Sequence, residues 1–371
     1  MVIRLQDYSA GHKVVSLALT EQGAQELENR QLEYVAKQEQ GYFLEPEGIR
    51  LDIPEKEQEK LAQCHDRDVF QIYRDGQMFR FYDASSADNA FMMLAHCNSN
   101  CIMCPATDAM REENDRIADE DLLELVKHIP KDANHITITG GEPFLYGEQI
   151  FELFHAFRLK GGLTNYQLLT NGRALSYQPY ALRFHETAPE RMVIGIPLHG
   201  YDAASHDAIT RSPGGFEQTR QGIHNLLQFG HRVELRMVVS GLNAANITKI
   251  AQLIINEFPD CLRVEIMGLE MLGNAAKYQD RVWIPYREAF LASKDAVDLL
   301  IRHGIEVELY NFPLCAIDRE YWHIAVKSIS TYKVRFMPAC DQCRVKDACG
   351  GFFAGTIRLA GKDARPVTGN A

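Results

Sequence analysis

The sequence predicts an α/β protein built on a partial, TIM-like (β/α)6 barrel, with a small α+β domain before it and a metal-binding segment after it. Two observations carry that expectation. From about residue 89 the chain alternates six short apolar runs with amphipathic segments, and seven of its nine cysteines fall in two clusters. The runs lie at residues 90–95, 135–139, 166–170, 192–197, 233–239 and 262–267. Between them, residues 119–129, 148–160, 216–229 and 246–258 place Leu, Ile and Val at three-to-four spacing, the period of a helix with one apolar face. Strand and helix alternating in this way means parallel strands joined by crossover helices. The expected divisions are 1–88, 89–284 and 285–371.

Residues 1–88 contain no recognisable motif. Residues 14–19 and 69–81 alternate like strands, and 21–38 is polar enough for an exposed helix. Two roles stand open for this region, an appended structural domain and a peptide-recognition domain. Residues 285–304 read as a further helix and 305–310 as a strand. The last stretch, 360–371, is polar with Gly and Pro and is expected to be loosely ordered.

Composition narrows the function. The formal charge of −11 argues against nucleic acid as a partner, because affinity for phosphate backbones rests on Lys and Arg. The N-terminus lacks the basic head and apolar run of a signal peptide, and no stretch approaches the roughly 18 apolar residues of a membrane span. The expected location is the cytoplasm, with no membrane partner. There, cysteines stay reduced and read as metal or catalytic ligands, with Cys64 and Cys261 as buried small apolar residues.

The chemistry centres on Cys97-Asn98-Ser99-Asn100-Cys101-Ile102-Met103-Cys104. Thiolates bind zinc or iron–sulfur clusters, which normally take four of them, and this stretch supplies three. A zinc knuckle completed by His96 or a distant cysteine is one reading. It leaves Gly140-Gly141-Glu142-Pro143 unexplained. If strand and helix alternate as expected, each motif follows the C-terminal end of a strand: the thiol loop the first, Gly140–Pro143 the second, Asn171-Gly172 the third and His199-Gly200 the fourth. That is the face on which such barrels carry reactive groups. Arg236 lies inside the fifth run, with a structural salt bridge or a ligand carboxylate as its two readings. Downstream, Cys340, Cys343 and Cys349, with Cys315, supply four thiols for a second site, open to zinc or to iron and sulfide.

Cys97, Cys101 and Cys104 followed by Gly140-Gly141-Glu142-Pro143 resemble the radical S-adenosylmethionine (SAM) enzymes, and the second set resembles the SPASM/twitch auxiliary-cluster segment of that superfamily. The resemblance implies a radical SAM barrel in which Cys97, Cys101 and Cys104 hold a [4Fe-4S] cluster whose open iron binds SAM. It implies reductive cleavage of SAM to a 5′-deoxyadenosyl radical, with no further catalytic side chain assigned. SAM contacts fall to Gly140, Gly141, Glu142, Pro143, Asn171, His199 and Arg236, with Met103 near the adenine. Cys315, Cys340, Cys343 and Cys349 would hold one auxiliary [4Fe-4S] cluster.

Within the superfamily, Cys-Asn-Ser-Asn-Cys-Ile-Met-Cys-Pro at 97–105, Glu-Met-Leu-Gly-Asn-Ala at 270–275 and Cys-Asp-Gln-Cys with Cys-Gly-Gly-Phe-Phe at 340–353 look like the HxsC-type maturase of the His-Xaa-Ser system. That likeness implies post-translational modification of a ribosomally made peptide, a second radical SAM maturase as partner and a reducing donor such as flavodoxin or ferredoxin. His206, Asp207 and Arg211 add a local likeness to peptide-modifying members, against a plain loop and helix start. The alternatives are a radical SAM enzyme acting on a small molecule or cofactor precursor, and a non-catalytic zinc-binding interaction protein.

Overall fold

In a computed structural model, which describes residues 1–112, 116–361 and 364–368, two large sheets share one body, and Val334–Arg335 pairs with Phe352–Phe353 in a small third one. The first contains β1 (Val2–Arg4), β2 (Lys13–Ala18), β3 (Tyr34–Gln38), β4 (Gly41–Glu45), β5 (Ile49–Leu51), β6 (Val69–Ile72) and β7 (Gln77–Tyr82), in the order β1-β7-β6-β2-β3-β4-β5. The stretch expected to be one helix over 21–38 divides. Its helix ends at Asn29, and Tyr34-Val35-Ala36 is buried as the start of β3, parallel to β2. Aromatic and β-branched residues fit a pleated, buried surface better than a solvated helix.

The barrel sheet contains β8 (Asn89–Met92), β9 (His135–Thr139), β10 (Asn165–Leu169), β11 (Met192–Pro197), β12 (Arg232–Val238), β13 (Arg263–Met267), β14 (Val307–Tyr310) and β15 (Ala325–Val326). All are parallel and lie in chain order. Sequential order with right-handed crossovers puts every helix on one face of the sheet. The six expected runs are all strands, but the sheet continues past residue 284. The helix Tyr286–Arg302 and β14 extend it, because Phe290, Ala296, Val297 and Leu300 and then Val307 and Leu309 bury into the same core as the earlier units.

Alternation along the strands sorts the barrel into two environments. Ile136, Ile138, Leu168, Ile194, Val233, Leu235, Val264 and Ile266 face the helices and are fully buried. The intervening residues face the lumen, where Glu234, Arg236, Arg263, Glu265 and Glu308 form an ion-pair network with N–O separations of 2.9–3.5 Å. Gly195 makes room for it, since a Cβ there would lie 2.9 Å from Glu234 Oε1.

The N-terminal sheet is fused to the barrel through the helix Asp119–His128. Arg30 Nη2 donates to the carbonyl oxygens of Lys127, His128 and Ile129 at 2.6, 3.1 and 3.3 Å, satisfying acceptors that a helix C-terminus leaves orphaned. His12 Nε2 and Gln71 Nε2 meet Asp121 at 2.7 and 3.0 Å, and Val14, Val69 and Tyr82 join the barrel core. No helix among the described residues is long and apolar enough to cross a membrane. Of the C-terminal stretch expected to be loose, 362–363 and 369–371 lie outside the described residues. Residues 364–368 lie across the second thiol set.

Candidate functional site: two thiol sets joined by one loop

The three-thiol loop leaves β8 and is held by the loops that leave other strands. Gly141 N donates to Leu94 O at 2.7 Å and Glu142 N to His96 O at 2.9 Å, laying the Gly-Gly turn along the residues that lead into Cys97. A Cβ on Gly140 would lie 2.5 Å from Leu94 O, and one on Gly141 would overlap the His96 carbonyl. Both glycines are therefore required by close backbone approach. Their neighbour is the thiol loop's own base, a role that spacing does not reveal.

Glu142 is buried and ties β9 to β10. Its Oε1 accepts from Thr170 Oγ1 at 2.7 Å and from Phe144 N at 3.1 Å, and its Oε2 accepts from Asn171 N at 2.7 Å. Burial pushes its carboxyl above the usual range, and these donors oppose the shift. Pro143 opens the short helix Pro143–Tyr146, which Glu142 caps. Ordering the turn is the role its protein partners display.

Asn171 Nδ2 donates to Asn98 Oδ1 at 2.7 Å, so the third-strand loop touches the thiol loop directly. Arg173 reaches further. Its Nη1 donates to Asn98 O (2.7 Å), Ser99 Oγ (3.1 Å) and Ser212 Oγ (2.6 Å), and its Nε to Gln218 Oε1 (2.7 Å). Arg111 donates to Ser99 O and Asn100 Oδ1 at 3.2 and 2.9 Å. Sequence reasoning did not single out either arginine. Arg173's one signal was its place directly after Asn171-Gly172.

The loop after β13 closes the far end. Asn274 N donates to Cys104 O at 2.9 Å, and Asn274 Nδ2 to Asn100 Oδ1 and Cys101 O at 2.8 and 3.1 Å. Gly273, at φ +55°, passes so close to Pro105 that a Cβ would strike its carbonyl. The Glu-Met-Leu-Gly-Asn-Ala stretch is thus a clamp on the thiol loop. Met103 is buried with Ile102, Ile209, Leu269 and Met271 in a separate apolar cluster beneath it.

Burial pushes the Cys97 thiol up to about 11 and Cys101 to about 12, so both keep their protons until a metal displaces them. The donor set at each site, thiols with no carboxylate or imidazole among them, is one that zinc and iron–sulfur clusters both accept.

Two expected contacts are enclosed by protein groups. Arg236, with a salt bridge and a ligand carboxylate as its two readings, forms the salt bridge, pairing with Glu234 and Glu265 at 3.2 and 3.1 Å, because two buried lumen carboxylates demand it. His199 is buried, and its Nδ1 has no hydrogen-bond partner. Burial holds its ring down at about 3 and that of His206, 6.1 Å away, at about 4. Asp207 caps a helix, accepting from Gly214 N and Phe216 N at 2.7 Å each, as a plain helix start requires. Cys64 and Cys261 are buried as expected.

The second set assembles from separate turns. Cys315, Cys340, Cys343 and Cys349 line one small cavity with Phe336, Phe352, Lys346 and Arg365. Backbone N–H groups point at the sulfurs: Leu314 and Gly351 donate to Cys349 Sγ at 3.3 Å each, and Val367 donates to Cys343 Sγ at 3.4 Å. The two sets are joined. Met271 N donates to Thr356 Oγ1 at 3.2 Å and Lys333 pairs with Glu270 at 3.1 Å, so the clamp on the first loop also carries the segment of the second.

Residues 92–254 match the family model of the Radical SAM superfamily. An AdoMet-dependent heme synthase of Nitratidesulfovibrio vulgaris is 30 % identical over 194 residues, covering 52 % of this chain and 51 % of its own. An AdoMet-dependent heme synthase of Methanosarcina barkeri is 27 % identical over 165 residues, covering 44 % and 46 %. The chain therefore spans about half the length of these curated relatives. The crystal structure of Streptococcus suis SuiB bound to precursor peptide SuiA aligns with a TM-score of 0.50 at 11 % identity, covering 62 % of this chain and 49 % of that one, a likeness of fold alone. The barrel of this chain has the radical SAM fold, and its residues 92–254 match that superfamily.

Proposed function

We propose that this protein is a radical SAM enzyme that modifies a ribosomally made peptide, of the HxsC type in the His-Xaa-Ser system. The observation that carries the radical SAM part is the clamping of Cys97, Cys101 and Cys104 by loops leaving β9, β10 and β13 at one mouth of a parallel barrel. Cys97, Cys101 and Cys104 would hold a [4Fe-4S] cluster with an open iron for SAM, and with an external one-electron donor that pair would supply hydrogen-abstracting radical chemistry. The residues of the chain do the positioning. Gly140 and Gly141 hold the loop's base, Arg173 and Asn171 fix Asn98 and Ser99, and Asn274 fixes Asn100, Cys101 and Cys104. Glu142, Pro143, Asn171 and His199 are proposed to contact SAM. Cys315, Cys340, Cys343 and Cys349 are proposed to hold the auxiliary cluster.

The peptide assignment is supported by the sequences at 97–105, 270–275 and 340–353. The second reading, a small-molecule substrate, is favoured by the heme synthase relatives.

The test is anaerobic reconstitution with iron and sulfide, iron counting and a deoxyadenosine assay with SAM and dithionite, beside Cys97/Cys101/Cys104→Ala. About eight irons per chain with product, falling by about half with no product in the variant, supports two four-iron clusters with SAM chemistry at the first. Zinc without product means a binding protein. A mass change in a His-Xaa-Ser repeat peptide, but not in a propionate-bearing iron porphyrin, supports the peptide reading; the converse supports the small molecule.

A further inference from the structure

The end of the barrel opposite the thiol loop gathers lysines. The helix Gln149–Lys160 runs into Gly161 and Gly162, at φ +62° and +98°, before β10 begins. A Cβ on Gly162 would lie 2.4 Å from Lys131 O, and Thr164 Oγ1 donates to that same carbonyl at 3.4 Å. The backbone therefore holds Lys160 beside Lys131, just before the N-terminal ends of β10 and β9.

Lys160 is half-buried there. Its Nζ donates to Val126 O and, at 3.4 Å, to Lys127 O, at the C-terminus of the helix Asp119–His128. Arg30 covers the same helix end from the first domain. Burial pulls the Lys160 ammonium down, and the like charges of Arg30 and Lys131 add to it, bringing it to about 8 against the pull of the helix C-terminus. At pH 8 about half of it is then free amine, against roughly 0.4 % of an ordinary lysine.

The side chain lines a surface cavity of about 810 Å³ with Arg30, Arg67, Lys127 and Lys131. The carboxylates in its wall already have partners: Asp132 and Glu26 pair with Arg67 at 3.1 and 4.0 Å, and Glu124 with Lys127 at 2.5 Å. Five cations against three carboxylates give +2 with Lys160 charged and +1 with it neutral. The cavity thus attracts anions in either state. A nucleophilic amine and a site for a departing anion lie side by side.

We propose that Lys160 is an acylation site that takes its acyl group from an acyl phosphate drawn in by the cations of this cavity. The neutral Nζ attacks the acyl carbonyl carbon and forms a C–N bond. The C–O bond to phosphate breaks, and inorganic phosphate leaves with the electron pair and the proton of the amine. The amide carries no charge, so acylation removes one of the two cations at the end of the helix Asp119–His128 and leaves that end of the seam to Arg30. The site stands apart from the thiol sets, and the inference does not depend on the radical SAM reading.

The experiment treats the reconstituted full chain with acetyl phosphate under anaerobic conditions and follows each lysine by peptide mass spectrometry. At pH 8 Lys160 is expected to react about tenfold faster than exposed Lys37, and its rate to level off above about pH 8.5 while that of Lys37 keeps rising. Lys131→Gln is compared with wild type through the ratio of the acetyl phosphate rate to the rate with uncharged N-hydroxysuccinimidyl acetate. Both reagents sense the protonation of the amine, but only one carries phosphate, so the ratio at Lys160 should fall several-fold. Treatment should lower the melting temperature of wild type by about 2 °C more than that of Lys160→Arg, which keeps the charge and forms no amide. A Lys160 rate no greater than that of Lys37, or one that climbs with pH in parallel with it, overturns the proposal. An unchanged ratio in Lys131→Gln overturns the part given to phosphate, and equal melting shifts overturn the effect on the seam.

Discussion

The two thiol sets are held in opposite ways. At the first, side chains grip the loop: Asn171, Arg173, Arg111 and Asn274 donate to its carbonyls and polar side chains. Only one N–H of another residue reaches a sulfur there, Ser99 N to Cys97 at 3.4 Å, among the described residues. At the second, backbone N–H groups from Leu314, Gly351 and Val367 point at the sulfurs themselves. Donors to sulfur offset thiolate charge and raise a cluster's potential, whereas a grip on the loop fixes geometry and leaves sulfur electron-rich. If the sets hold the clusters proposed for them, the first grip favours a strong reductant with an open position and the second a closed, milder site.

The hardest way to break the contrast is Gly141→Ala. Its Cβ would overlap backbone, the His96 carbonyl, and no side chain can swing away to relieve it. The expected cost is roughly 3 kcal/mol with loss of iron at the first set and of all deoxyadenosine. Iron at the second set should persist. Equal loss from both sets, read by iron counting against the Cys97/Cys101/Cys104→Ala variant, would show the first grip is not local.

Arg173→Met tests the grip without touching backbone. It removes donors to Asn98 O, Ser99 Oγ and Ser212 Oγ while keeping an apolar stem, and a 10–100-fold drop in deoxyadenosine rate is expected. Arg173→Lys should recover part of it, since one ammonium offers a charge but not the planar fork that also reaches Gln218. A rate unchanged in Arg173→Met would shift the holding role to Asn171 and Arg111.

Much of this was legible in the sequence, for reasons specific to each element. The six strands read well because Ile136, Leu168, Val233 and Val264 bury against helices whose own apolar residues recur at helical spacing. β14 was visible as a strand, but its membership of the barrel was not, since pairing with β13 is decided by packing. Thiol spacing carries chemistry directly, so both sets could be named. Arg236 kept two readings open because a lone arginine in an apolar strand does not reveal that Glu234 and Glu265 flank it in space. Arg173 and Asn274 hid for the opposite reason: their work is in contacts 39 to 174 residues away along the chain.

The smallest effect concerns acid, and it separates the sets by a residue only one of them has. His199 and His206 are buried beside the mouth of the first set, and burial holds their rings at about 3 and about 4. A base whose folded pKa lies below its unfolded value of about 6.5 costs nothing at neutral pH, where both states leave it neutral. Below pH 6.5 the unfolded chain takes up a proton that the folded chain refuses, so stability falls as pH drops toward the folded value. Between pH 7 and 5 each ring should contribute a loss of about 2 kcal/mol. His199→Gln, which cannot titrate, should show a smaller fall in melting temperature over that range than wild type. The second set, whose cavity lining includes no histidine, should hold its iron in wild type and variant alike at pH 5.5. If the variant's melting temperature falls as steeply as the wild type's, the acid sensitivity lies elsewhere and His199 is accessible to protons in the folded state.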